Sequence, residues 1–582
     1  MERSNVKNLY VADFETTTDE EDCRVWAWGL YDIVKDRVGI GKDLESFFAV
    51  LFSLPDKSNI YFHNLKFDGE FLFYYLFENG FTHTEERKPD VNEFTTLISY
   101  MGVFYAININ YEGREYIIYD SLKIIPLPVG KISKAFKIEQ LKGEIDYHKE
   151  RPIGYEPTEE EIEYIKNDVE IVGKALLYFF EQGLDRMTQA SNAFKDFKKI
   201  FGSKRFQKIF PILSDDKEMR TSYKGGFTYV NPKYQGKEIG KGIVFDVNSL
   251  YPSIRYNERL PYGEPIRYQG HYEEDKVYSV YIQVIRCNFE LKENYIPTIQ
   301  LKHNMNFNPL DYLVSSDGVD VTLCLTSVDL ELFFEHYEVF NVEYLYGWKF
   351  KSSDLIFKNY IDKWIKVKEE STINGNEGLR TISKLMLNAL YGKFATNPNV
   401  KSKNPVYYDG MVHYVLGESE ERDPVYIPVA SFITSYARKI TIESAQKNYD
   451  RFIYADTDSL HLLGEEMPKD LNIDPVKLGY WDFEAKFIRG RFIRAKSYIE
   501  DLYITEEEYN KLKESKKSGW EYNEEEKVYT QIKVTCAGLP HKCHDQITYD
   551  NFKSGLVVSG KLQHKRVKGG VILKDIDFTI KV

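Results

Sequence analysis

The chain has 582 residues, 43% of them hydrophobic and 15% aromatic, and a formal net charge of −13. That length is too great for one core, so three or more domains are expected, and no run approaches the roughly 18 apolar residues of a membrane span. The acidic balance weighs against a nucleic-acid binder, whose surfaces are usually basic, although the distribution of charge along the chain matters more than its sum.

The N-terminus carries no apolar signal segment. LYVADFETTT (9–18) begins as a short apolar strand in which Asp13 and Glu15 share a face. IYFHNLKFDGEFLFYYL (60–76) runs from a strand into a helix, with Asp68 where they meet. PTEEEIEYIKNDVEIVGKALLYFFEQG (157–183) has the clearest helical signature. Thr158 and Glu161 form a capping box, Ile162, Ile165, Val169, Val172, Leu176 and Phe179 make the core stripe, and Gly183 can stop the helix. Tyr164 and Asp168 share a face one turn apart. Asp168 alone would pass as a surface acid. Together, Asp13, Glu15, Asp68 and Asp168 offer hard oxygen ligands for two Mg²⁺ or Mn²⁺ ions. Two such ions about 4 Å apart stabilise the attacking water and the leaving oxygen in phosphodiester cleavage, and Tyr164 can orient the water. These three motifs, in this order, resemble those of the DEDD-type 3′–5′ exonucleases.

The remaining two-thirds carry a second set of acids. IVFDVNSLYPSI (243–254) is an apolar strand reaching Asp246. ISKLMLNALYGKF (382–394) reads as a helix, and Arg380, Lys384, Asn388 and Tyr391 fall along one face. Such a row is usually a wet side; it can also grip a triphosphate and stack on a base. YADTDS (454–459) lies between apolar strands, and its Asp456 and Asp458 suit either a hairpin turn or a metal site. KFIRGRFIRAK (486–496) holds five cations and no anion, and KLQHKRVK (561–568) holds four; both interleave apolar residues, unlike the acidic runs 158–168 and 523–527. Lys496 and Tyr498 are two apart on an expected strand, suited to a phosphate and to a sugar or base. The five scattered cysteines suggest a reducing compartment, and Cys536, His541, Cys543 and His544 cluster without a zinc spacing.

The order DVNSLYP, KLMLNALYG, DTDS, KSY resembles the family B DNA polymerases. Further segments, among them DFETTT, YFHNLKFDG, GEIDYHKERPIGY, YKGGF, LPYGEP and DPVYIP, are similar to the protein-primed polymerases of phi29-type bacteriophages, a resemblance that runs from Asp13 to the C-terminal DFTIKV. It implies a multidomain α/β fold. An N-terminal RNase H-like DEDD 3′–5′ exonuclease domain would span 1–186. A right-hand polymerase would follow, with palm at 187–257 and 424–529, fingers at 356–392 and thumb at 530–582. Two insertions, at 258–355 and 393–423, would interrupt it. The second has Asp409-Gly410 as an expected hairpin tip.

Residue by residue, the resemblance implies that Thr16, His63, Asn64, Phe67, Ser121, Leu122 and Tyr147 bind a frayed 3′ end, and that Lys142 assists exonucleolysis. Tyr223, Gly225 and Gly226 match the motif linking the two activities, whose glycines let backbone approach DNA. Asp246, Val247, Asp456 and Asp458 would hold the polymerisation metals. Tyr251, Lys368, Arg380, Lys384, Asn388 and Tyr391 would surround the incoming nucleotide, and Lys496 and Tyr498 would contact DNA. Three positions depart from the family pattern: Arg380 for Lys, Ala389 where Ser is common, and Ala455 for Gly or Cys. The function implied is a processive, strand-displacing DNA polymerase with 3′–5′ proofreading, two Mg²⁺ (or Mn²⁺) ions per active site and initiation from a protein-linked nucleotide. Its partners would be DNA, dNTPs and a terminal priming protein, with no membrane. The chain would be a monomer, pairing with the priming protein at initiation, and would replicate a linear phage genome in the cytoplasm of the infected bacterium. Two rivals are an exonuclease whose C-terminal half only grips DNA and a non-catalytic scaffold; the intact acids argue against both.

Overall fold

In this computed structural model, which describes residues 8–139, 143–300 and 312–581, two large sheets organise the chain. The first runs Arg37–Gly41, Val25–Asp32, Leu9–Thr16, Ser58–Phe62, Arg114–Asp120, Phe104–Tyr111, Glu93–Ile98 and Thr82–His83 in space. Leu9–Thr16 is largely buried on both faces because it is an interior strand, antiparallel to Val25–Asp32 and parallel to Ser58–Phe62. Helix Leu65–Glu78 follows Ser58–Phe62 and carries Asp68 in its first turn. Helix Glu159–Glu181 starts at the expected reciprocal cap of Thr158 and Glu161 and packs on the first two strands. Ile165, Val169, Val172, Leu176 and Phe179 are buried as expected, but Ile162 is 38% exposed. Glu161 turns inward there instead, held by Arg151 at 3.0 Å.

The second sheet runs from Glu521–Asn523 through Val528–Cys536, Ser497–Ile504, Trp481–Arg494, Gly242–Val247, Ser459–Leu463 and Phe452–Asp456 to Thr228–Val230. Val528–Cys536 pairs along the whole of Ser497–Ile504. The sheet therefore crosses the expected boundary at 529/530 and ends only at Cys536. Helices Leu250–Asn257 and Ile427–Lys447 pack against each other beside it. Helices Lys358–Ile373 and Glu377–Ala389 lie together as a pair and meet Leu250–Asn257. Residues 258–355 build a separate four-stranded sheet in the order Leu260–Gln269, Tyr337–Ser353, Val280–Leu291 and Val321–Thr326.

Two hairpins reach back to the N-terminal sheet. Asn399–Tyr408 and Met411–Glu421 pair across Asp409-Gly410, both at positive φ (52° and 73°), as a two-residue turn of this hand demands. The composition of this segment predicts little apolar anchorage. Val412 nevertheless lies inside the N-terminal core, and Tyr407 stacks on Phe77 at 5.5 Å. The C-terminal hairpin, Val557–Val567 with Gly570–Thr579, adds Val567, Val571 and Ile572 to the same core. Gly569 and Gly570 make its tip fit: a Cβ on either would lie 2.1 Å from the Cys23 carbonyl oxygen or 2.4 Å from Phe71. Beside them Arg566 donates from Nε to Glu70, which is 2% exposed, at 3.0 Å, and its guanidinium lies 4.5 Å from the Tyr414 ring. Cys536 and Cys543 are buried thiols in a small core beneath this hairpin. Among the described residues no helix is long and apolar enough to cross a membrane.

Candidate active sites

Asp456 is the last residue of its strand, and Asp458 is the second residue of the two-residue loop before Ser459–Leu463. The segment is thus a hairpin turn, and it presents two acids. Thr457 pays a conformational cost, sitting at φ 61°, where a β-branched residue is strained. The turn is over-determined by bonds from Thr457 N to the Phe227 carbonyl at 2.6 Å and from the Thr441 hydroxyl to the Thr457 carbonyl at 2.6 Å. Gly226 abuts it, since a Cβ there would lie 2.8 Å from Thr457 Oγ1 and 3.2 Å from Tyr251 Oη. In this structure Gly226 is thus required by protein, whereas Gly225 has open space.

Asp246 is register partner to Ser459 on one side and Asp482 on the other. Burial first, then the charges of Asp458, Glu484 and Asp482, push its carboxyl up to about 7. Burial, with Asp456 alongside, also raises Asp458. The Val247 N–H donates to the Asp458 carbonyl at 2.7 Å, so the end of strand Gly242–Val247 and the Thr457-Asp458 turn are pinned backbone to backbone. Asp456 accepts from Thr228 Oγ1 at 3.0 Å and from Lys496 Nζ on both oxygens.

Above this site Tyr251 stacks on Tyr391, with centroids 4.4 Å apart and planes 16° apart. Burial, followed by the charges of Lys384 and Arg380, lowers Lys368. Three cations from the helix pair thus converge; Arg380 meets Glu377 at 3.0 Å, and Glu369 partly offsets the lowering of Lys368. Lys384 and Asn388 face solvent on the same helix. Tyr223 is partly buried, and burial first, then the neighbouring Tyr391, raises its phenol.

The N-terminal site gathers from three elements. Glu15, Asp68 and Asp168 are buried, and Phe14 N donates to Asp68 Oδ1 at 3.3 Å. Burial first, then Asp13 and Glu15, raise Asp68 well above the usual carboxylate range. Tyr164 bonds Tyr147 hydroxyl to hydroxyl at 2.8 Å, and burial, Asp168 and Glu15 keep its phenol protonated. Thr16, Asn64, Phe67, Leu122 and Tyr147 all keep exposed surface around these acids. Ser121 does not: it is fully buried, donates to the Phe62 carbonyl and lies 2.9 Å from His63 Nδ1. It therefore fixes His63, whose Nε2 lies 2.8 Å from the Leu127 carbonyl. Lys142 lies outside the described residues.

Two further expectations change. Lys496 is in a turn at φ 57°, between Trp481–Arg494 and Ser497–Ile504, and not on a strand face with Tyr498. Tyr498 is 8% exposed, its ring stacked on Phe492 at 5.0 Å in the core, so it supports the hairpin from behind. Sequence reading missed Asp482 and Glu484. Their spacing in WDFEAKF repeats the i, i+2 acid pattern of Asp13/Glu15 and Asp456/Asp458, and Glu484 falls at a register shift opposite Val244 and Phe245.

Among the described residues, no three of His, Cys, Asp and Glu are grouped tightly enough to hold an ion as they stand. The donor chemistry nevertheless fits a hard divalent cation at both sites. Apart from the backbone oxygen of Val247, every candidate ligand is a carboxylate, and burial first, then neighbouring acids, raise Asp246, Asp458 and Asp68.

Residues 52–474 match the family described as DNA polymerase type B, organellar and viral. The DNA polymerase of Bacillus phage M2 is 49% identical over 588 residues, spanning 99% of this chain and 100% of that protein. That of Bacillus phage phi29 is 49% identical over 590 residues, with 99% of each chain covered. The structure of phi29 DNA polymerase with primer-template DNA and incoming nucleotide substrates superposes with a TM-score of 0.90 at 47% identity, over 98% of this chain and 100% of that one.

Proposed function

The chain belongs to the organellar and viral type B DNA polymerases and is a DNA-directed DNA polymerase; from that premise we propose that it is protein-primed, proofreads with its N-terminal domain and displaces the strand ahead of it. The observation that carries the reading is the presence of two separate carboxylate sites on two sheets: Asp246 beside Asp458 beneath a converging row of cations, and Asp68 beside Asp13 and Glu15 beneath Tyr164. The first sheet is read as the exonuclease domain and the second as the palm. The paired helices Lys358–Ile373 and Glu377–Ala389 are read as the fingers, and the hairpin after Cys536 as the thumb.

At the polymerase site Asp246, Asp458 and, once released by Lys496, Asp456 would hold Mg²⁺ together with Val247. At the exonuclease site Asp13, Glu15, Asp68 and Asp168 would do so. Bound divalent ions supply charge stabilisation for the attacking and leaving oxygens of phosphoryl transfer. The chain does the positioning. Lys368, Arg380 and Lys384 receive the triphosphate, as oriented cations do for phosphates. Tyr251, backed by Tyr391, lies under the sugar, where a 2′-hydroxyl would collide with its ring. In the exonuclease site the neutral Tyr164 hydroxyl orients water, and Asn64, Phe67 and Leu122 receive the strand end. Primer-template DNA and nucleotides are the partners of the phi29 polymerase structure; the same ligands, with a terminal protein as primer, are assigned to this chain, working in an infected bacterial cell.

Two assays test the reading. Labelled-dNTP extension of a primer with Mg²⁺ should succeed, with degradation of single strands when nucleotides are withheld. Incubation with a terminal protein, dATP and Mg²⁺ should give a covalent protein–nucleotide adduct; extension without an adduct would remove protein priming and leave the polymerase.

A further inference from the structure

Arg255, in helix Leu250–Asn257, is 0% exposed. A buried guanidinium ordinarily faces a carboxylate, because an unpaired charge in the interior is expensive. Among the described residues Arg255 faces none, and its Nη1 finds no acceptor. Its nearest polar groups are carbonyls and the phenols Tyr360 and Tyr391. Nε donates to the Tyr251 carbonyl at 3.2 Å, and Nη2 donates to the Leu387 carbonyl. Leu387 lies in the last turn of Glu377–Ala389, where carbonyls lack intrahelical partners and the helix dipole is negative. Tyr360 Oη donates to the preceding carbonyl, Met386, at 2.8 Å.

The two carbonyls that Arg255 joins belong to two different helices, Leu250–Asn257 and Glu377–Ala389. Tyr251 carries the ring that stacks on Tyr391. Leu387 adjoins Asn388 in the last turn of the helix bearing Lys384, with Tyr391 just beyond that helix. An apolar side chain could fill this space, but it could not bond both carbonyls or answer the helix end with positive charge.

We infer that Arg255 is a positioning residue for nucleotide selection: anchored in the helix after Asp246, it clamps the C-terminal end of the Glu377–Ala389 helix and sets the spacing of Tyr251 against Tyr391. The inference rests on the reading of Tyr251 and Tyr391 as the nucleotide pocket. It concerns binding geometry and leaves the acids untouched, so it predicts a change in nucleotide affinity and sugar choice with the turnover step preserved.

Single-nucleotide incorporation by Arg255→Met, Arg255→Lys and Tyr251→Val, with Mg²⁺, primer-template and either dNTP or rNTP, tests it. Degradation of single-stranded DNA by the distant N-terminal site serves as the gauge of folding. Arg255→Met should raise the dNTP KM about tenfold with kcat little changed, the size expected for losing charge-assisted bonds. It should also raise the rNTP/dNTP ratio of kcat/KM and leave degradation intact. Arg255→Lys, which keeps the charge and can reach one carbonyl, should recover a substantial part of the KM. Unchanged KM and sugar ratio in Arg255→Met overturn the inference, as does a parallel fall of synthesis and degradation that Lys does not relieve. If the Met variant fails to fold, the Lys variant decides: a raised KM with intact degradation supports the clamp, and an unchanged KM overturns it. Tyr251→Val separates the inference from its premise. If that change leaves the sugar ratio where it was, the pocket reading falls and the inference with it; if it moves the ratio while Arg255→Met does not, the inference alone falls.

Discussion

Lys496 holds Asp456 by both carboxylate oxygens, at 2.8 and 2.6 Å, from a turn in the left-handed region. The lysine side chain is 54% exposed, so it can swing into solvent, and a carboxylate freed in this way becomes available to a divalent ion. On the proposed reading an ammonium and Mg²⁺ would therefore compete for one acid. Lys496→Met should lower the Mg²⁺ concentration that half-saturates incorporation, by about twofold or more, while weakening primer-template binding through the lost phosphate contact. A metal titration of each protein at saturating primer reads this directly; identical half-saturation points would show that Lys496 does not compete.

The two carboxylate sites should be separable. Asp13→Ala with Glu15→Ala alters only the first sheet, and Asp458→Ala only the second. The double change should abolish 3′ degradation and keep incorporation, and Asp458→Ala should do the reverse. Loss of both activities from either change, in protein with a normal thermal melt, would contradict two independent sites.

Asp246 gives a pH signature. Its carboxyl sits at about 7 in the folded chain, against 3.8 for an ordinary aspartate. The folded state thus keeps a proton that the unfolded chain has released. This contribution to stability is fully present below about pH 4 and is lost as pH rises towards 7. Without metal, the melting temperature should fall through that window. If Mg²⁺ is held by the ionised Asp246 as proposed, it should restore more at pH 8 than at pH 6. Asp246→Asn should flatten both dependences in melts run with EDTA and with Mg²⁺; an unaltered slope would place the buried proton elsewhere.

The Asn399–Tyr408/Met411–Glu421 hairpin should matter for strand displacement and little for chemistry. Replacing it with a short Gly linker should leave filling of a short gap near normal. Product length on singly primed circular DNA, with a competitor trap, should drop sharply, with stalling at duplex. Because Val412 sits in the N-terminal core, the excision should also destabilise that unit by about 1–3 kcal/mol. Equal loss in the gap and displacement assays would reject a role in holding the template.

Chemistry that repeats a short pattern was legible in the sequence. The capping pair Thr158 and Glu161, the Asp409-Gly410 turn and the acids Asp13, Asp68, Asp246 and Asp456 all announce themselves within a few residues of chain. What remained hidden depends on partners far away in sequence. Nothing near Ile162 says that Glu161 will take the inward position, and nothing near Tyr498 says that Phe492 will bury it. Ser121 looks like a surface hydroxyl until Phe62 and His63 close over it. Arg255 would be read as solvated on any local rule; only the carbonyls of Tyr251 and Leu387, brought together by tertiary packing, account for its burial.

The docking of Gly569 and Gly570 on Cys23 and Phe71 has a consequence for how the protein is made. A ribosome releases the N-terminal sheet first, yet the core of that sheet includes Val412, Val567, Val571 and Ile572. For most of its synthesis the nascent chain therefore carries an incomplete first domain, with apolar surface waiting for residues that do not yet exist. Domains usually mature in the order of synthesis; here the first to appear is among the last to be finished. A chain cut short before Gly569 should accordingly expose its oldest part, not only its newest, to proteases and aggregation.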